Sequence, residues 1–157
     1  MKLQHFSKDI ITITEVHATP QKTEAVPYQK PHGLWVSDED DEMSWTEWVT
    51  GEELNWNEGK FIHDVELADD ANVLYLSTDA ELREFSRKWS VDYHGMNAIP
   101  WNLIAREWHG VLITPYIWSC RLDMETDWYY GWDCASGCIW DPRAIKSITP
   151  QLKALTP

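Results

Sequence analysis

Basic residues are scarce in this chain. It carries 13 Lys and Arg against 26 Asp and Glu, a formal net charge of −13 with histidine neutral. Affinity for nucleic acid comes largely from Lys and Arg displacing condensed counterions, so this balance disfavours a phosphate-tracking surface. Anionic lipid is disfavoured for the same reason. Cysteine is also scarce: Cys120, Cys134 and Cys138 are few and odd in number, which is not the disulfide framework of a small secreted domain. Long apolar runs are missing. The longest, around Val111–Trp118, is interrupted by Thr114 and Pro115 and is too short to span a bilayer. Residues 1–10, MKLQHFSKDI, hold no apolar run resembling a signal peptide, so the expected compartment is the cytoplasm, with no membrane partner.

Common site signatures are absent as well. There is no GxxxxGK[ST], no GxGxxG and no GxSxG. The Rossmann route to a dinucleotide is thereby removed, while other routes stay open. Cys134 and Cys138 lie four apart with no second pair at zinc-ligand spacing, and the six histidines form no HExxH or HxxxH unit, so no metal is expected.

Tryptophan, in contrast, is abundant. Eleven in 157 residues exceed what one core of this size needs, and some are expected to line a groove or an interface. The length fits a single domain over 1–157, and the 43% hydrophobic share supplies a core. The acidic surface favours solubility and basic partners.

Helix and strand signals alternate irregularly. An N-terminal strand leads through the proline-bearing stretch Thr19–His32 to a short strand, Gly33–Ser37. The acidic run Asp38–Glu42 is expected to be a solvated loop. Ser44 and Glu47 match a capping box, predicting a short helix that ends near Gly51. Phe61–Leu67 alternates as a half-buried strand with Phe61, His63, Val65 and Leu67 on one face, and Val73–Leu76 is a more buried one. Thr78 and Glu81 cap a second helix with Leu82, Phe85 and Trp89 on one stripe. Pro100 suits the start of a third helix, in which Trp101, Ile104, Ala105 and Trp108 share a core-facing stripe and Gly110 caps the end. Val111–Ile113, Trp128–Trp132 and Gly137–Trp140 are expected strands. The fold class is mixed α+β, a strand-rich single domain with a few short helices.

Three segments stand out: His5-Phe6-Ser7; Lys30 to Ser37, which runs Lys-Pro-His-Gly-Leu-Trp-Val-Ser; and Tyr129 to Ile148, which contains Trp132-Asp133-Cys134 and Ile139-Trp140-Asp141-Pro142. In this order and spacing they resemble the ADP-ribosyltransferase superfamily, especially its small bacterial and phage-borne members. The resemblance implies a split-sheet fold and NAD as substrate. It places His5, with Ser7, on the early strand that holds NAD. Ser37, with Gly33 and Trp35 on the same strand, falls beside the nicotinamide, and Ile139–Pro142 followed by Ile145–Ile148 forms the exit strand. The family's usual glutamate ahead of that strand is missing. The nearest acid is Asp133, one methylene shorter, with Glu125 and Asp127 further back.

The chemistry explains the demand for such groups. Breaking the nicotinamide–ribose bond builds positive charge on the ribose, as in glycoside hydrolysis. A carboxylate near the 2′-hydroxyl stabilises that charge as it develops. Trp35, Trp45 and Trp48 are candidate rings for stacking on nicotinamide and excluding water.

Each residue also has a structural reading. His5 suits a core edge, Ser37 a turn start, Asp133 a turn cap near Gly131, and Trp45 and Trp48 a core stripe. Cys134 and Cys138 suit small buried fillers. Two function classes follow. One is NAD-dependent transfer of ADP-ribose to a protein target with a basic surface, which predicts a concave pocket joining His5, Ser37 and Asp133. The alternative is an acidic, Trp-rich, non-enzymatic protein that blocks a basic partner surface, which predicts contiguous carboxylates and no such pocket.

Overall fold

A computed structural model describes residues 1–151 of the chain. In chain order its elements are β1 (Leu3–Ser7), β2 (Leu34–Asp38), α1 (Trp45–Gly51), β3 (Phe61–Leu67), β4 (Val73–Leu76), α2 (Asp79–Trp89), β5 (Val91–Tyr93), β6 (Met96–Ala98), α3 (Trp101–Ile104), β7 (Gly110–Ile113), β8 (Ser136–Ile139) and β9 (Ile145–Pro150), joined by short 3₁₀ turns. It is a mixed α+β single domain. Seven strands form one sheet in the order β4-β7-β8-β2-β1-β3-β9, and β5 and β6 form a separate hairpin.

Only β4 and β7 run parallel, from Val73↔Gly110 to Leu76↔Ile113; the chain between them holds α2. β7 is covered on both faces. Val111 and Ile113 enter a tryptophan-rich cluster with Leu82, Phe85, Trp101, Trp128, Trp132 and Trp140. Leu112 enters an aliphatic cluster on the other side with Leu3, Val36, Val65, Ile139 and Ile148. That is why its sequence is uniformly apolar. β8 approaches β7 so closely that a Cβ on Gly137 would lie 2.1 Å from the Val111 carbonyl oxygen and 2.7 Å from Leu112 Cα, so only glycine fits there.

The caps form as their residue types dictate. Ser44 Oγ accepts from the Glu47 amide at 3.2 Å, and Thr78 Oγ1 from the Glu81 amide at 3.1 Å. The Glu81 carboxylate reaches one residue further back than a capping box requires and accepts from the Ser77 amide.

Four expectations are corrected. Trp128–Trp132 is not a strand but part of a 3₁₀ segment, Met124–Gly131. The aromatic run carries β propensity, yet Thr126, Tyr129 and Trp132, three apart and at most 1% exposed, bury one face of a three-residue repeat. The third helix stops at Ile104, and Gly110 opens β7 instead of capping it. Tertiary bonds claim the backbone there: Asn72 Nδ2 donates to the Glu107 carbonyl and the His109 amide to the Asn72 carbonyl, both at 2.7 Å. In Val73–Leu76, Tyr75 is 45% exposed, because this strand is an edge of the sheet. The acidic run is not all solvated. Asp38 is 7% exposed, and its Oδ2 accepts from Thr114 Oγ1 at 2.7 Å. The β5–β6 hairpin carries no clear pattern signal; its turn uses positive φ at His94 and Gly95.

Candidate functional site

β1 and β2 pair only at Leu3↔Asp38 and Gln4↔Ser37. Beyond that point they part, while β1 keeps five pairs with β3 and β2 keeps four with β8. His5 occupies the parting: its Nδ1–H donates to the Trp35 carbonyl at 2.7 Å, a side chain where a ladder bond would otherwise run. A cavity of about 320 Å³ opens here, lined from β1 by Gln4 and His5 and from β2 by Trp35 and Ser37. That volume is at the lower end of small-molecule sites.

The cavity joins five of the residues singled out from sequence: His5, Trp35, Ser37, Trp45 and Asp133. Three others lie outside its lining. Ser7 donates to the Asp9 carbonyl at 2.7 Å. Trp48 packs against Trp45 and Trp56, at ring-centroid distances of 5.5 Å in each case. Gly33 lines a neighbouring concavity, and the need for glycine there is steric, since a Cβ would lie 2.5 Å from the Ile139 carbonyl oxygen. Ser37 also has a structural duty. Its hydroxyl donates to Glu39 Oε2 at 2.6 Å and accepts from the Trp45 amide at 2.8 Å, fastening the start of α1 to the end of β2. Its proton is therefore committed, and a spare lone pair is what it offers a ligand. Glu39, a member of the acidic run, also accepts from Thr46 Oγ1.

Lys30 and Lys60, which no sequence spacing relates, both line the cavity. The Lys30 ammonium sits 5.5 Å from the Trp35 ring centroid and 5.9 Å from that of Trp132. Two cations on the wall of one cavity, in a chain of net charge −13, make it a local exception to the acidic surface. Asp133 Oδ1 lies 3.8 Å from Arg121 Nη1. Arg121 in turn donates to the Tyr116 hydroxyl at 2.7 Å, and that hydroxyl donates to the Trp132 carbonyl at 2.7 Å. This chain ties the carboxylate's neighbourhood to the core. Cys134 also faces the cavity, but burial pushes its thiol up to about 12, so it stays protonated at neutral pH and is no nucleophile.

His5 is held neutral. Burial lowers its pKa below 6.5, outweighing the Trp35 hydrogen bond that raises it, and His63 and Lys60 lower it further. With Nδ1–H given to Trp35, its Nε2 is an acceptor that no group among the described residues engages. Behind it, fully buried His63 accepts from the Ile11 amide at Nε2, which puts its own proton on Nδ1, facing the His5 carbonyl at 3.3 Å. In the unfolded chain His5 takes up a proton near its ordinary 6.5, and in the fold only at lower pH. Between those values the unfolded state binds more protons, so stability falls as pH falls. Thermal melts from about pH 7 to about pH 5 should show a steeper loss for the wild type than for His5→Gln; parallel curves would remove the desolvated His5 from the explanation.

Chemically, the cavity offers flat apolar wall, two ammonium groups for an anion, a neutral imidazole acceptor and one carboxylate. Among the described residues, no three His, Cys, Asp or Glu side chains gather to hold a metal ion. No helix among them is long and apolar enough to cross a membrane. Comparison with protein-family models, with curated proteins and with solved structures gives no match.

Proposed function

We propose that this chain binds NAD in the cavity between β1 and β2 and transfers ADP-ribose from it to a protein target with a basic surface. One observation carries the reading: where the two strands part, a single cavity joins His5, Trp35, Ser37, Trp45 and Asp133, drawn from distant parts of the sequence. The residues' chemistry suits each demand of the reaction. Trp35 and Trp45 offer ring faces to nicotinamide. His5 Nε2 accepts from a ribose hydroxyl, and Lys30 and Lys60 attract the pyrophosphate. The bond between ribose C1′ and the nicotinamide nitrogen breaks, and nicotinamide leaves with the electron pair. Asp133 stabilises the cationic ribose through its 2′-hydroxyl. A nucleophile of the target then bonds to C1′ and releases its proton.

Tryptophan fluorescence tests the binding half directly. Titration with NAD should quench the wild type, since Trp35 and Trp45 both face the cavity, and His5→Ala should weaken the titration. Absence of quenching at millimolar NAD, together with no heat of binding, would overturn the proposal.

A further inference from the structure

A second concavity, open and of about 630 Å³, adjoins the first and shares Lys30 and Trp35 with it. Its other wall is the loop before β2, where Tyr28 and Gln29 stand side by side. Two features of that loop are unexplained by packing. Tyr28 holds φ +59°, a left-handed conformation that a bulky residue adopts only under constraint, and its ring is 48% exposed. Gln29 has its side-chain oxygen buried with no hydrogen-bond partner among the described residues. Its backbone is fully engaged: the amide donates to the Val26 carbonyl at 3.3 Å, and the carbonyl accepts from Trp101 Nε1 at 2.8 Å. The loop is thus anchored to the core through its main chain while the terminal amide of Gln29 is left unused.

An unpaired buried acceptor costs about 1–3 kcal/mol unless something supplies a donor. A glutamine amide presents an acceptor beside a donor, the complement of the amino group and ring nitrogen on an adenine edge. An exposed tyrosine ring next to it offers a stacking face for a purine. Lys30, common to both concavities, stands where the phosphates joining two nucleotides would pass.

We infer that the second concavity is an adenine-nucleotide subsite, with Tyr28 stacking on the base, the Gln29 amide pairing with its edge and Lys30 holding the phosphates. The inference rests on the first cavity taking the nicotinamide–ribose half of NAD.

Calorimetry with AMP, GMP and nicotinamide mononucleotide as separate probes tests it on the whole chain. The wild type should bind AMP more tightly than GMP by roughly tenfold. Gln29→Leu should abolish that preference, and Tyr28→Ala should weaken both purines by roughly tenfold while Tyr28→Phe retains them. Nicotinamide mononucleotide should bind all these variants alike, which also shows that they are folded. Equal affinity for AMP and GMP in the wild type, or AMP binding unmoved by both Gln29→Leu and Tyr28→Ala, would overturn the subsite. Binding of nicotinamide mononucleotide without AMP overturns the subsite and leaves the first cavity's reading intact. AMP binding without the mononucleotide does the reverse.

Discussion

Asp133→Asn is expected to slow nicotinamide release from NAD by about 10²–10³-fold, with NAD affinity little changed. Asparagine matches aspartate in size and still accepts a hydrogen bond from a ribose hydroxyl, so the ground state loses little. What it lacks is the negative charge, which matters only as positive charge develops on the ribose. Asp133 is suited to that role: its side chain is one-third exposed toward the cavity side, and its nearest cation, Arg121, stands off at 3.8 Å and is occupied by the Tyr116 hydroxyl. Steady-state kinetics separate the possibilities. A fall in kcat at constant KM fits stabilisation of the transition state alone, whereas a rise in KM alone would make Asp133 a binding group.

Trp101→Ala should destabilise the fold by about 3–5 kcal/mol, as the loss of a large buried aromatic does. Trp101 is 2% exposed and is a hub of the aromatic core, with ring centroids 6.0 Å from Phe85, 6.2 Å from Trp128, 6.1 Å from Trp132 and 6.3 Å from Trp140. Its removal leaves a void that rings from α2, the 3₁₀ segment and the end of β8 cannot all collapse into. It also orphans the Gln29 carbonyl that its indole N–H satisfies at 2.8 Å. Trp101→Phe isolates the second effect, because it keeps most of the ring and loses the donor, at about 1–3 kcal/mol. Chemical denaturation of the two variants beside the wild type gives both numbers. A loss under about 1 kcal/mol for Trp101→Ala would mean that the core repacks freely, contrary to the interlocked ring geometry.

Local signals made much of the frame legible. Alternation marked β3, the caps at Ser44 and Thr78 marked the starts of α1 and α2, and an uninterrupted apolar triplet marked β7. The misreadings share one physical cause, tertiary contacts overriding local preference. The Trp128–Trp132 aromatics have strand propensity, but their burial follows a period of three. The stripe from Trp101 to Trp108 has helical spacing, but Asn72 captures the backbone after Ile104. Asp38 belongs to a charge run, yet Thr114 folds over it. At the site, polar residues set in apolar strands, His5, Ser37 and Asp133, were conspicuous in sequence. Lys30 and Lys60 were not, because only the parting of β1 from β2 brings them to one cavity. The commitment of the Ser37 proton to Glu39 was equally invisible, since it depends on how the acidic turn folds back.

The most direct test of the central claim is the release of nicotinamide from NAD, followed by chromatography with the purified chain and, in parallel, with a lysate supplying basic protein acceptors. The expected result is release that depends on the chain, is strongly reduced by Asp133→Asn and is accompanied by ADP-ribose on protein. No release under either condition, with NAD failing to quench tryptophan fluorescence, would contradict it and leave the acidic, partner-blocking protein as the reading to pursue.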